Sequence, residues 1–105
     1  MIDRDAREFL TRLFDAAVRA ADPLEAMRSH LPAKPEGRTL VIGAGKGAAQ
    51  MAAAFEELWG EPVEGVIVTR YGYACETRGI RVMEASHPVP DAAGRDAAEA
   101  LFEAV

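Results

Sequence analysis

Cysteine and long apolar runs are the scarcest features of this sequence, and their scarcity excludes two classes of protein. The 105 residues contain one cysteine, Cys75, so neither an internal disulfide nor a cysteine-based zinc cluster can form. The longest apolar runs, such as residues 40–44, fall far short of the ~20 residues that a membrane-spanning helix needs. Because the first residues also lack a signal-peptide pattern, we expect a cytoplasmic protein without a membrane partner.

Positive charge is also in short supply. The formal net charge is −5, and no basic stripe is present to neutralise a phosphate backbone, so nucleic acid is not expected as a partner. Of the 12 basic residues two are lysines, Lys34 and Lys46. Lys34 falls in a proline-containing linker. Lys46 lies in a glycine turn, where a compact point charge beside backbone amides would be useful.

The remaining composition is that of a small folded domain. Half of the residues are apolar and 28% are charged, which is typical of globular proteins. A domain of this length buries a modest fraction of its surface, so we expect a partner domain to complete its core. The last predicted helix reaches residue 105 with no capping glycine or proline, which we interpret as a truncation.

The first part of the chain is predicted to form two helices, and residues 1–31 are treated as an N-terminal helical unit. A helix over residues 3–21 would carry one apolar face. The residues of that face are Phe9, Leu10, Leu13, Phe14, Ala17 and Val18. Asp22 and Pro23 provide an N-cap and a first helical position for a second helix, which we expect to end at Pro32. Residues 33–38 then form a linker.

The second part, residues 39–105, alternates strands and helices. Short apolar runs predict strands over residues 39–42, 65–69 and 80–85, and helical spacing predicts helices over residues 46–59 and 92–105. This order predicts an α/β fold, a Rossmann-like parallel sheet with flanking helices.

A glycine turn joins the first of these strands to its helix. Gly43, Gly45 and Gly47 permit a tight turn and the close approach of a ligand, while the first helical N–H groups carry the positive end of the helix dipole. Phosphate or carboxylate is the natural guest, and Lys46 would add a full charge. A Walker loop is excluded, because it requires Ser or Thr directly after the lysine. A role for the glycines in helix packing alone is the alternative.

The same glycines allow a dinucleotide to be considered. Gly43, Gly45 and Ala48 fit the relaxed pattern G-x-G-x-x-G/A. That motif also needs an acidic residue at the end of the second strand, and Thr69 and Arg70 stand there instead. NAD is therefore disfavoured, whereas NADP stays open because Arg70 could meet its 2′-phosphate. A solvated strand-end role is the simpler interpretation of Arg70.

A proline-rich corner follows the third predicted strand. Residues 86–91 read Ser-His-Pro-Val-Pro-Asp, and the two prolines restrict where His87 and Asp91 point. If the strands are parallel, this corner lies at the same edge of the sheet as the glycine turn, where ligands of open α/β sheets bind. His87 could contact an anion or transfer a proton. Asp91 could hold a metal or cap its helix, and the cap is the simpler interpretation.

Three segments together resemble a known family. They are residues 43–48 (Gly-Ala-Gly-Lys-Gly-Ala), 65–72 (Gly-Val-Ile-Val-Thr-Arg-Tyr-Gly) and 84–91 (Glu-Ala-Ser-His-Pro-Val-Pro-Asp). In this order and spacing they resemble the N-terminal part of the glycerate 2-kinase family, of the type with a MOFRL-type C-terminal domain. Some members are labelled hydroxypyruvate reductase. The resemblance covers nearly the whole chain, although family members are several times longer.

The resemblance implies phosphorylation of D-glycerate at its 2-hydroxyl by ATP and Mg²⁺, in a cleft between two domains. Lys46 matches the glycine-turn lysine of the family, which makes it the candidate catalytic residue. The candidate substrate- and phosphate-binding residues are Gly43, Gly45, Lys46, Gly47, His87 and Asp91. No metal ligand can be assigned, and the second domain, with an arginine thought to complete the site, is absent from this chain.

The expected function is that of the N-terminal portion of a larger two-domain enzyme, a glycerate 2-kinase-like phosphotransferase that is inactive as this portion alone. Its partners would be D-glycerate or a related hydroxy acid and the missing C-terminal domain. The alternatives are an NADP-dependent hydroxypyruvate reductase and a non-catalytic small-anion-binding domain. The hydroxy acid and the oligomeric state are left open, and a homo-oligomer is compatible with the sequence.

Overall fold

The computed structural model describes residues 3–105. They form four helices and three strands, which are α1 (Arg4–Ala20), α2 (Pro23–Met27), β1 (Leu40–Ala44), α3 (Ala48–Trp59), β2 (Glu64–Arg70), β3 (Ile80–Ala85) and α4 (Ala92–Ala104). The predicted α/β fold with a parallel sheet is confirmed. None of the helices within residues 3–105 has the length and apolar character needed to cross a membrane.

The strands form one sheet in the order β1-β2-β3, and both pairs are parallel. Gly43 is the partner of Ile67 across the first pair, and Thr69 is the partner of Glu84 across the second. Because parallel strands end at the same edge, the segments that follow Ala44, Arg70 and Ala85 meet at the carboxyl edge of the sheet. This arrangement brings the glycine turn and the proline corner to one side of the molecule.

The two faces of the sheet are covered by different helices. The α3 face holds the core, formed by Ala49, Ala52, Trp59, Val63, Ile67 and Ile80. On the opposite face α4 packs against β2 and β3. A Cβ added to Gly94 of α4 would lie 3.8 Å from the methyl group of Ala85. Because successive strand residues point to opposite faces, Ile67 and Thr69 point toward α3, whereas Val68 and Arg70 lie on the α4 side.

One glycine of β2 is required by the close approach of two strands. A Cβ on Gly65 would collide with the carbonyl oxygen of Val41 on β1. Glycine weakens a strand through its conformational entropy. Its presence here is explained by the lack of space for any side chain.

Three element boundaries differ from those predicted by two residues or more, and the others differ by one at most. The second helix ends at Met27 and not at Pro32. The N–H of His30 donates to the carbonyl of Met27, three residues earlier, and so closes a turn in place of a further helical turn. Leu31, the residue before Pro32, also disfavours the helical conformation. Strand β1 extends to Ala44 through pairing with β2, so Gly43 belongs to the strand. Helix α3 begins at Ala48, because Lys46 and Gly47 are used by the turn.

Helix α1 stands apart from the core. It contacts α2, and none of its residues is buried. The predicted apolar face therefore lies exposed, and Phe14 for example is 68% accessible. The radius of gyration of 17.3 Å exceeds the ~13 Å expected of a compact domain of this size.

The connection from β2 to β3 contains no helix and is secured by a buried carboxylate. Glu56 of α3 is 7% exposed and accepts hydrogen bonds from the N–H groups of Arg78, Gly79 and Ile80. Burial raises the pKa of Glu56, but these three amides and the charge of Arg78 outweigh it and lower the pKa below its usual value. The connection is thereby held against α3.

Candidate functional site

A cleft of about 210 Å³ lies at the carboxyl edge of the sheet, on the α4 side. It is lined by Gly45, Lys46, Val68, Thr69, Arg70, Ala85, Ser86, His87 and Gly94. The cleft brings together three of the residues predicted for the site, namely Gly45, Lys46 and His87. The other three do not line it: Asp91 binds the N–H of Ser86 at its edge, whereas Gly43 and Gly47 line a separate cleft of about 300 Å³ between β1 and α3.

The glycine turn is held by backbone hydrogen bonds at both ends. The N–H of Gly45 donates to the carbonyl of Val68 at 3.1 Å, and the N–H of Ala48 donates to the carbonyl of Gly45 at 3.2 Å. Gly45 adopts a φ of 129°, a conformation that L side chains rarely adopt. Within residues 3–105 the N–H groups of Lys46 and Gly47 have no hydrogen-bond partner, so both can bind an anion.

Thr69 supports this turn from below. Its side chain is 3% exposed, and its hydroxyl donates to the carbonyl oxygen of Lys46 at 3.3 Å. This bond occupies the Lys46 carbonyl, which would otherwise present negative charge near the anion site. Sequence reasoning assigned Thr69 no role, although the alternation of β2 places it on the same buried face as Ile67 and could have indicated a supporting position.

The charged side chains that line the cleft are of one sign. Lys46, Arg70 and His87 line it, and no Asp or Glu does. The whole chain carries a net charge of −5, so the basic groups of the cleft are opposite in sign to the net charge of the chain. A cleft lined in this way attracts anions and concentrates them near the turn amides.

A larger cleft elsewhere in the molecule has the opposite character. It measures about 380 Å³ and lies at the far end of α3, where Glu56, Glu57, Glu61 and Arg78 line it. Three carboxylates would repel an anionic ligand. The smaller cleft is therefore the better candidate for chemistry despite its size.

Two predicted glycines have different positions from that of Gly45. Gly43 lies within β1, where a Cβ would meet the side chain of Ile67 at 3.4 Å. A contact of this length is ordinary van der Waals packing, so the surroundings of Gly43 do not by themselves require a glycine. Gly47 is the N-cap of α3, and a Cβ there would meet no atom within 4 Å.

Asp91 acts as a helix cap and as the centre of a small network. One carboxylate oxygen accepts from the N–H groups of Gly94 at 2.9 Å and Ser86 at 3.3 Å, and the other accepts from the Tyr71 hydroxyl at 2.8 Å. The bond from Tyr71 and those from the two amides hold the pKa of Asp91 below its usual value. The same bond raises the pKa of Tyr71. Both oxygens of Asp91 are thus engaged, and the network fixes the corner that carries His87.

His87 presents its ring to the cleft. It is exposed and makes no hydrogen bond to any other residue within 3–105. The His87–Pro88 peptide bond is cis. Because His87 is exposed and has no hydrogen-bond partner among residues 3–105, its side chain is available to a bound ligand.

Arg70 lines the same cleft from the end of β2. Its guanidinium lies 5.2 Å from the ring centroid of Tyr73 and donates to the Tyr73 hydroxyl at 3.4 Å. Among residues 3–105 no carboxylate pairs with Arg70. The structure therefore places a second cation at the cleft that Lys46 lines.

The residues of the cleft, as described within residues 3–105, do not fit a magnesium ion. Mg²⁺ prefers carboxylate and water oxygens, whereas the cleft lining contains no carboxylate and Asp91 is fully engaged. Within residues 3–105 no group of three or more His, Cys, Asp or Glu side chains is arranged to hold a metal. Phosphate oxygens, in contrast, fit the turn amides and Lys46.

Comparison with protein families gives one match over most of the chain. The model of DUF4147, described as a domain of unknown function, matches residues 9–105. An Agrobacterium vitis protein named "Putative hydroxypyruvate reductase" is 50% identical over 104 residues, which cover 98% of this chain and 24% of that protein. The glycerate 2-kinase of Pyrococcus horikoshii is 38% identical over 103 residues, covering 87% of this chain and 23% of the relative.

Solved structures agree with this match. A glycerate kinase from Thermotoga maritima superposes with a TM-score of 0.78 at 27% identity, covering 96% of this chain and 25% of that one. A Pyrococcus horikoshii protein superposes with a TM-score of 0.72 at 35% identity, covering 100% of this chain and 27% of that one. The resemblance seen in the three sequence segments is confirmed. The chain spans about a quarter of the length of these relatives.

Proposed function

The chain belongs to the DUF4147 family, and from that premise we propose that it is the N-terminal portion of a glycerate 2-kinase-like phosphotransferase. The full-length protein would transfer the γ-phosphoryl group of ATP to the 2-hydroxyl of D-glycerate. The products would be ADP and 2-phosphoglycerate, with the hydroxyl proton released. The observation that carries the proposal is the cleft at the carboxyl edge, which Lys46, Arg70 and His87 line without a carboxylate, next to the unpaired amides of the glycine turn.

Lys46 has the central role in this proposal. Phosphoryl transfer depends mainly on positioning and on neutralising charge. The ammonium of Lys46 and the N–H groups of Lys46 and Gly47 would face the phosphoryl oxygens, and Thr69 would hold the turn in place. The family implies Mg²⁺ as well, but no ligands for it fit within residues 3–105, so we assign no step to the metal here.

Full-length activity provides the test. Phosphorus NMR of the full-length protein with Mg²⁺-ATP and D-glycerate should show a 2-phosphoglycerate signal. Replacing Lys46→Ala should lower turnover by about 10²–10³-fold, by analogy with the loss of one transition-state donor. The matched control is Lys34→Ala, which removes the other lysine at an exposed site paired with Glu61. Normal turnover of the Lys46 variant would remove this residue from the mechanism.

A reductase is the second candidate, because the relative with 50% identity is named as a hydroxypyruvate reductase. Gly45 and Arg70 would then face the phosphates of NADP. The end of β2 carries no acidic residue for a ribose, which weighs against NAD. A parallel absorbance measurement with NADPH and hydroxypyruvate decides the matter. Falling absorbance without a phosphoester signal would replace the kinase proposal by the reductase.

A further inference from the structure

We infer that Arg70, held by Tyr73, binds the carboxylate of the hydroxy-acid substrate and so determines specificity for an acid over a neutral alcohol. The inference rests on the proposed function and extends it to a residue of β2. It assigns the two cations of the cleft to two different groups of the ligands, Lys46 to the phosphoryl group and Arg70 to the carboxylate.

The position of Arg70 supports this division. Lys46 lies in the turn after β1, and Arg70 lies at the end of β2, so the cations come from different elements that line one cleft. In the substrate the carboxylate is bonded to the carbon that bears the reacting hydroxyl. The carboxylate and the transferred phosphoryl group must therefore be accommodated close together. A cleft of about 210 Å³ is smaller than the ~300–1,000 Å³ of sites for drug-sized ligands, which favours a small acid there.

The chemistry of the guanidinium supports a carboxylate as its ligand. Arginine presents N–H groups in a planar fork that binds both oxygens of a carboxylate. The ring of Tyr73 contacts the guanidinium and its hydroxyl accepts one weak bond at 3.4 Å. The other donors have no protein acceptor among residues 3–105, so they remain for a ligand. Stacking on the ring limits the rotamers of the arginine, which lowers the entropy cost of binding.

It is equally important that no carboxylate among residues 3–105 forms an ion pair with the guanidinium. Glu84 lies on β3, the strand next to β2, and one of its carboxylate oxygens accepts from the N–H of Gly72 at 3.0 Å. Asp91 is engaged by Tyr71, Ser86 and Gly94. Neither carboxylate pairs with Arg70, which keeps its positive charge available to the substrate.

The test compares a charged and a neutral substrate in the full-length protein. Kinetics are measured with D-glycerate and with D-glyceramide, in which an amide replaces the carboxylate. For Arg70→Gln we expect the KM for D-glycerate to rise by about 10- to 100-fold with little change in kcat or in the KM for ATP. Discrimination between the acid and the amide should be lost. Arg70→Lys, which keeps the charge without the fork, should be intermediate.

Two further variants separate binding from positioning. Tyr73→Phe keeps the ring and should change the KM little, whereas Tyr73→Leu removes the stacking and should raise the KM for D-glycerate while leaving kcat unchanged. Arg81→Gln is the matched control, because Arg81 is exposed near the opposite end of β3 and lines no part of the cleft. It should behave as the unsubstituted protein does.

Each outcome decides a different point. A higher KM for ATP with discrimination intact would overturn the inference and assign Arg70 to the nucleotide, and unchanged kinetics would also overturn it. Calorimetric binding of D-glycerate alone is measured in parallel. Binding that is lost in Arg70→Gln, in a protein that transfers no phosphate, would refute the proposed kinase and leave the carboxylate site standing. Phosphate transfer by the full-length protein, together with unaltered binding of D-glycerate in Arg70→Gln, would support the kinase and refute the carboxylate site.

Discussion

At the scale of single residues, the candidate site depends on side chains that do not themselves face the ligand. Thr69 is buried and holds the carbonyl of Lys46, and Asp91 joins Tyr71 to the start of α4. Gly45 is needed for its positive φ. These positions fix the turn and the corner, so that Lys46 and His87 need little reorganisation when an anion binds.

Thr69→Val in the full-length protein should therefore reduce activity, although its shape is nearly the same as that of threonine. The change removes the hydroxyl that holds the Lys46 carbonyl, a loss of about 1 kcal/mol. If that loss appears fully in the positioning of the turn, kcat falls roughly fivefold. Steady-state kinetics is the measurement.

The control for this prediction is Thr69→Ser, which keeps the hydroxyl and loses a methyl group. It should retain most of the activity. Full activity in Thr69→Val together with a loss in Thr69→Ser would show that packing of the methyl group, and not the hydrogen bond, supports the turn.

At the scale of secondary-structure elements, the connection between β2 and β3 is unusual, because parallel strands are commonly joined through a helix. Here residues 71–79 make the connection without one. The carboxylate of Glu56 holds this connection by accepting hydrogen bonds from three consecutive backbone amides. Helix α3 thus fixes the start of β3 as well as the position of the glycine turn.

Stability of the chain should fall in acid because of Glu56. Its folded pKa is below its usual value of 4.5, so its contribution is complete above that value and is lost as the pH falls through the folded pKa. At pH 7 Glu56→Gln, which has one acceptor oxygen in place of two, should lower the free energy of unfolding by roughly 1–3 kcal/mol. Denaturant unfolding is followed by the fluorescence of Trp59, the one tryptophan in the chain. It gives the free energy of unfolding of each variant and, when repeated across the pH range, its dependence on pH.

The pH profile distinguishes this explanation from a simple packing defect. The difference between the unsubstituted chain and Glu56→Gln should begin to shrink as the pH falls below about 4.5, where the carboxylate becomes protonated in the unfolded chain, and should be lost once the pH falls through the lower pKa of the folded state. Glu57→Gln is the control, because the neighbouring Glu57 is exposed. A gap of constant size from pH 7 to pH 3 would contradict the assigned role of the charge.

At the scale of the whole molecule, apolar surface is distributed unevenly. The core lies between α3 and the sheet, while the apolar face of α1 is open to solvent. A helix with an exposed apolar face over several turns is typical of an element that packs against another surface. The chain spans about a quarter of the length of its relatives, which is consistent with such packing in a longer protein.

The isolated 105-residue chain should therefore bind a dye that reports exposed apolar surface. Replacing Leu10→Gln together with Phe14→Gln should reduce dye fluorescence strongly. The free energy of unfolding should change by no more than about 0.5 kcal/mol per site, because both side chains are more than half exposed. Dye titration and denaturant unfolding measure the two effects.

Arg12→Gln is the control for this pair, because it lies on the polar side of the same helix. It should leave dye binding unchanged. A chain that bound no dye, or a double variant that unfolded readily, would show that the face of α1 is already packed.

Local pattern was sufficient for much of this molecule. Helical spacing and short β-branched runs predicted every helix and strand among residues 3–105 to within a few residues, except for the end of α2. The order of the elements predicted a parallel sheet, and the parallel sheet brings the glycine turn and the His87 corner to one edge. Periodicity and turn residues carry such information because neighbours in sequence determine it.

Contacts between distant residues were beyond the reach of pattern. Glu56 binds amides 22 to 24 positions away, and Thr69 holds a carbonyl 23 positions away. The stacking of Arg70 on Tyr73 and the exposure of α1 also became visible only once the elements were packed. No local propensity encodes these contacts, because they depend on which side chains the folded chain brings within hydrogen-bonding or van der Waals distance.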